Sequence, residues 1–305
     1  MRGFICLAII GLMVAPASAA TLDGSISGDG YGTARAVQTV ETQFGDNASE
    51  LDAGYAQVSG GALWLTLTGN LENNFNKLNI FIDTGASGQN ILQNDANNGG
   101  NNPENDGWAQ KYAGFGFDTG FDANYMLIAR HGAGKFDFDF ATIGGGLGAF
   151  EATSDIFAGV EEGSNASVGA SGIGVAFDNS NVAGILGGTA AADQVAAAAV
   201  TTGLELAIPL SAIGNPNPAD IFVSAHVNGS NHDFLSNQSL AGLAPPQGNL
   251  GGDGGGNFTG DVSGVNLAQF AGNQYFSVVP EPTSLALLGL ALAGMLGVRR
   301  RHAVS

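Results

Sequence analysis

The chain has 305 residues and a net charge of −18, with only 12% charged residues, 49 glycines and one cysteine. So acidic a balance repels nucleic acid and anionic lipid. The low charged fraction excludes a highly charged disordered chain, and the glycine load points to loop-rich β-structure.

The N-terminus reads as an export signal. Arg2 supplies a positive charge, Phe4 to Val14 is apolar, and Ala15-Pro16-Ala17-Ser18-Ala19-Ala20 offers small residues for cleavage after Ala19 or Ala20. Residues 1–20 are therefore assigned to a signal peptide. Cys6 leaves with it, and Gly3-Phe4-Ile5 before that cysteine is a poor lipobox. A mature chain without cysteine has no disulfide and no thiolate site, so core burial, helped by any bound ion, must stabilise it.

Residues 21–279 are long enough for one large domain or two small ones, and are assigned to a single secreted domain. Their basic residues are Arg35, Lys77, Lys111, Arg130 and Lys135, far outnumbered by acids. Strands are predicted at Ala36-Gln43, Leu63-Gly69, Leu78-Asp83, Asn124-Arg130, Lys135-Phe140, Gly172-Phe177, Gly203-Ile208, Ile221-Val227 and Gln274-Val278. In Leu63-Trp64-Leu65-Thr66-Leu67-Thr68 the leucines share one face. Lys135-Phe136-Asp137-Phe138-Asp139-Phe140 places three phenylalanines inward and Asp137 and Asp139 toward water. One helix is expected over Ala190 to Thr201, closed by Gly203. Three biased loops, Asn90 to Gly107, Gly144 to Gly172 and Leu243 to Asp261, separate the strands. Many short strands without a fixed repeat predict an all-β fold, an antiparallel, jelly-roll-like β-sandwich with long Gly/Asn-rich loops.

The search for chemistry returns binding candidates and no active site. His131, His226 and His232 form no metal or hydrolase motif, and Ser230, His232 and Asp233 fall within one turn, where triad geometry is rare. Acidic pairs for glycoside hydrolysis are unmarked. Calcium is the one cofactor considered. Asp95, Asn97 and Asp106 occupy the first, third and last positions of an EF-hand-like loop, but a glycine replaces the fifth ligand and the flanks are not helical. Asp118 and Asp122 are the other oxygen ligands considered. Trp64 and Trp108 are the candidates for stacking on a sugar, against the alternative that each packs under a loop.

The tail carries the most specific pattern. Pro280-Glu281-Pro282 precedes an apolar run from Ser284 to Val298 and then Arg299-Arg300-Arg301. As a helix the run spans about 24 Å of a hydrocarbon core of about 30 Å, and the arginines hold its end on the cytoplasmic side. Residues 280–305 resemble the PEP-CTERM sorting signal of Gram-negative bacteria. That resemblance implies recognition and cleavage by an exosortase, transient residence in the inner membrane, and release to the surface or to a biofilm matrix.

A second resemblance rests on shorter landmarks. Leu22-Asp23-Gly24 with Gly30-Tyr31-Gly32, Gly61 to Leu65, Ile80 to Asp83, and Leu204 to Gly214 look like those of the DOMON-type sandwiches related to a carbohydrate-binding module. The likeness implies a domain that binds a ligand such as a sugar and does not cleave it. Haem is not indicated, because Met126 and His131 are spaced to fall on opposite faces of a strand. The expectation is a secreted, non-enzymatic surface or matrix protein of the biofilm or exopolysaccharide layer. The alternatives are a carbohydrate-binding module that adheres to exopolysaccharide and a secreted hydrolase.

Overall fold

The strictest alternations in the chain build the centres of two facing sheets. The computed structural model describes residues 20–93, 107–144 and 150–280. The signal peptide through residue 19, the calcium-loop candidates Asp95, Asn97 and Asp106, and Glu281, Pro282, the apolar run and Arg299, Arg300 and Arg301 lie outside the described residues.

The first sheet has the spatial order β1 (Ala36–Val37), β2 (Glu50–Ser59), β3 (Ala62–Asn70), β10 (Gly203–Pro209), β9 (Ile173–Phe177), β8 (Gly163–Val168). A short β14 (Val279–Pro280) adds to β2 in parallel. The second sheet runs β12 (Leu235–Ser239), β11 (Phe222–Asn228), β4 (Lys77–Asp83), β5 (Tyr125–Gly132), β6 (Lys135–Thr142), β7 (Phe150–Thr153), with β13 (Phe276–Ser277) on β11. All pairings except that of β14 are antiparallel. Gly60 and Gly61 both take positive φ, 60° and 82°, in the two-residue turn joining β2 to β3. This is the backbone that matches strand twist and that glycine adopts without strain.

The core lies between the sheets. Leu63, Leu65 and Leu67 of β3 and Leu204, Leu206 and Ile208 of β10 meet Ile80, Leu127, Phe136 and Phe138 from the opposite sheet. The expected inward set of Phe136, Phe138 and Phe140 is found, all three buried. The outward set needs correction. Asp139 faces away from this core yet is wholly buried, because Arg130 of β5 folds over it as an ion-pair partner. Only Asp137, 3.4 Å from the same guanidinium, keeps some exposure.

A further layer covers the back of the second sheet. Phe81, Met126 and Ile128 point there and pack under Trp108, Tyr112, Phe115, Phe117 and Phe121 from residues 107–121 and under Leu243, Leu250, Val262 and Val265. Long connections thus bring their own apolar side chains and close a second core. The expected helix over 190–201 shrinks to the single turn α1 (Gln194–Ala197), where the Asp193 side chain accepts from two first-turn amides. Gly144 to Gly172 is no uninterrupted loop, since it supplies the edge strands β7 and β8. β2 and β12 had no sequence signal. In β2 a bulge between Leu51 and Ala53 shifts the register and breaks the alternation.

Candidate functional site

On the outer face of the first sheet one carboxylate stands where its strand is otherwise apolar. Glu205, between Leu204 and Leu206 on β10, points away from the core and lies across from Thr66 of β3. Residues 20–32 cross this face and bury it. Glu205 is fully buried; its Oε1 accepts from the Tyr31 hydroxyl at 2.8 Å, and its Oε2 accepts from the backbone N–H of Asp23 at 2.9 Å and of Gly24 at 3.0 Å. Gly24 has φ 83°, and a Cβ there would come within 2.8 Å of the Asp178 backbone nitrogen, so the wrap requires glycine.

Asp29 enters the same place from the crossing segment. It is 2% exposed, its Oδ1 accepts from the Thr21 N–H at 2.9 Å, and its carbonyl accepts from Gln57 Nε2 at 3.2 Å. Its Oδ2 is buried without a hydrogen-bond partner among the described residues. One carboxylate oxygen from each of Asp23, Asp29 and Glu205 lies within 4.8 Å of the other two. Burial pushes the Glu205 carboxyl up to about 7 and raises that of Asp29, with the Asp23 carboxylate adding repulsion at Asp29. The arrangement concentrates hard oxygen donors and lacks a positive side chain among its contacts.

Two other polar clusters are sealed into the fold. Glu50 and Asp52 at the start of β2 are fully buried, and Asn181 Nδ2 reaches both, at 3.4 and 3.3 Å. The Asn47 and Ile185 backbone N–H groups donate to Glu50 and Asp52 in turn. Burial raises these carboxyls to about 7 and about 8, and at Asp52 the neighbouring Glu50 charge adds to the effect. In the second core His226 stands between Ser224 Oγ at 3.1 Å and Ser239 Oγ at 3.0 Å, and complete burial holds its imidazole down to about 3, hence neutral.

The residues singled out from the sequence are dispersed. Trp108 is 1% exposed inside the second core, so its ring packs against protein and offers no open stacking face. Trp64 is partly buried beside Tyr31 and Tyr55 on the face crossed by the N-terminal segment. Asp118 accepts from the Gln274 N–H at 2.6 Å, while the Asp122 N–H donates to Asp83, so the two belong to separate hydrogen-bond schemes. His232 sits in a turn with φ 55°, 3.4 Å from Asn79 Nδ2, in the buried network that includes Tyr112 and Asn228. The sequence reading missed Asp29, Tyr31 and Glu205 as a cluster. The available signal was the acid inside Leu204-Glu205-Leu206, at an outward position that a covering segment must satisfy.

Fold and site together define an acidic two-sheet β-sandwich with a carboxylate cluster beneath its N-terminal segment. Residues 278–301 match the PEP-CTERM protein-sorting motif. The chain therefore carries the tail of an exported protein that an exosortase sorts to the cell envelope. No curated protein and no solved structure matches this chain. Among the described residues no helix is long and apolar enough to cross a membrane.

Proposed function

We propose that the protein is a non-enzymatic component of the cell surface or extracellular matrix, whose sandwich is the delivered cargo and whose tail is its address. The observation that carries this reading is the direct join between the two. The matched motif begins at Val278, which is itself 2% exposed in the inter-sheet core, and β14 pairs with Gln57 and Val58 before the Pro-Glu-Pro tripeptide is complete. Among the described residues no linker separates the sandwich from the start of the matched motif, so the domain is presented at the membrane surface until it is processed. The most perturbed acids and the neutral His226 are engaged by their own chain, which suits stability more than turnover. A role in a Gram-negative biofilm or exopolysaccharide layer follows from the resemblance of the tail to sorting signals of such proteins. The DOMON-like landmarks and the partly exposed Trp64 support the second reading, a carbohydrate-binding sandwich.

Replacing Pro280-Glu281-Pro282 by alanines should leave uncut precursor in the inner membrane, whereas the native surface form should lack Arg299 to Ser305 by intact mass. Recovery of surface material that retains the arginines in a host with its exosortase sinks the processing step. Saturable binding on a glycan array, lost in Trp64→Ala, would favour the carbohydrate reading.

A further inference from the structure

We propose that Asp23, Asp29 and Glu205 bind a calcium ion that clamps the N-terminal segment onto the outer face of the sandwich. Two oxygens sharing a calcium at about 2.3–2.6 Å stand no more than about 5 Å apart, and the 4.8 Å limit among these three carboxylates meets that condition. Magnesium, reluctant to shed water, is usually held through one or two carboxylates and keeps several waters, so three protein carboxylates suit calcium better. An all-carboxylate donor set without imidazole or thiolate likewise selects a hard cation over zinc or copper.

The second observation is the orphan oxygen. Asp29 is only 2% exposed, and its Oδ2 has no hydrogen-bond partner among the described residues. A buried acceptor left unpaired carries its full desolvation cost, and a cation supplies the missing partner. Glu205 is meanwhile aimed by three donors, the Tyr31 hydroxyl and the Asp23 and Gly24 amides, as outer-shell groups aim metal-binding carboxylates. Asp23, the exposed member, is the rim through which an ion enters. Thr66, opposite Glu205, adds a buried hydroxyl oxygen on the same face. Because the ligands come from the first strapping segment and from β10, occupancy couples the N-terminus to the middle of the sheet. It thereby sets how firmly Tyr31, Tyr55 and Trp64 stay covered.

The test uses the purified full chain stripped with chelator, and Tb3+ as the calcium probe. Tyr31 donates to Glu205, so tyrosine excitation should give saturable terbium luminescence that calcium displaces. That component should vanish in Asp29→Asn and Glu205→Gln. Tyr31→Phe should weaken calcium binding about 10–100-fold, as loss of an outer-shell partner does. Asp23→Asn changes an exposed side chain whose charge repels Asp29, so it should lower affinity without lowering the metal-free melt, which separates ligation from folding. Calcium should also raise the melting temperature with occupancy, since only the native state binds it. Two results overturn the proposal: undiminished terbium and calcium binding in Asp23→Asn and Asp29→Asn, or one melting temperature in chelator and in millimolar calcium. The second result would assign the cluster to a proton shared by Asp29 and Glu205, or to an α-amino group at Thr21 created by cleavage after Ala20.

Discussion

Asp139 and Asp137 differ by two positions on one strand, share one guanidinium, and have different energetic roles. Asp139 is fully buried and paired with Arg130, so removing its charge breaks the buried half of this ion-pair network, a loss of about 3 kcal/mol, the low end for a broken buried pair because Asp137 still faces the guanidinium. Asp137 keeps partial exposure, and its Oδ1 accepts from the Asp155 N–H at 2.7 Å, a bond that asparagine can still accept. Urea melts should therefore rank Asp139→Asn well below Asp137→Asn, the latter costing about 1 kcal/mol or less. Phe138→Ala belongs with the severe changes, at about 3–5 kcal/mol for a deleted core ring. Equal midpoints for the two aspartate variants would show that Arg130 does not distinguish them. The alternation of this strand gave the facing of every side chain; the cover over Asp139 came from a neighbouring strand that no alternation encodes.

Among elements, the loop layer over the second sheet behaves as a unit with its own core. Phe117 touches Phe81 at a centroid distance of 4.8 Å, Phe115 at 5.1 Å and Phe121 at 4.9 Å, so it joins Tyr112, 5.5 Å from the same Phe81, in tying the segment 107–121 to β4. A layer built from connections, outside the two hydrogen-bonded sheets, can open below the global unfolding free energy. Phe117→Ala should therefore raise hydrogen exchange in residues 107–121 while β3, β10 and β5 stay protected. Loss of protection in those strands at the same rate would mean that the layer and the sandwich open as one. Strands with one apolar face, such as β3 and β6, were legible in the sequence because period-two alternation records a single apolar face, whatever later covers the other. β4 and β11 were legible as strands, but not as strands buried on both faces. β12 was not legible, because Ser236 to Ser239 is buried polar sequence satisfied by hydrogen bonds to distant segments.

At the scale of the whole molecule, buried titratable groups set a pH dependence with a definite sign. Glu50 and Asp52 ionise near 4.5 and 3.8 when unfolded, but burial holds them protonated in the fold up to about 7 and about 8. The folded state then binds more protons across that window, so stability falls as pH rises through it. His226 works oppositely: the unfolded imidazole takes a proton near 6.5 while the folded one refuses it until about 3, so stability falls as pH drops through that interval. With these two carboxyls, and Glu205 raised to about 7 in the same sense, against one histidine, the melting temperature should decline from about pH 5 to about pH 8, and Asp52→Asn should flatten the decline. A wild-type melting temperature that rises over this range would show that the Glu50–Asp52 pair is ionised in the fold.

The sequence by itself determined the sorting tail, the all-β class and most central strands, because each is written in contiguous residues: a tripeptide before an apolar run, or an apolar residue at every second position. It could not place Glu205 beside Asp29 and Asp23. Those residues lie on segments more than 170 positions apart, and only the pairing of β10 with β3 and the passage of the N-terminal segment over that face bring their oxygens together. Tertiary structure likewise decided that Trp108 is core and that Asp139 is dry. Burial of a polar or aromatic side chain depends on what the rest of the chain lays over it.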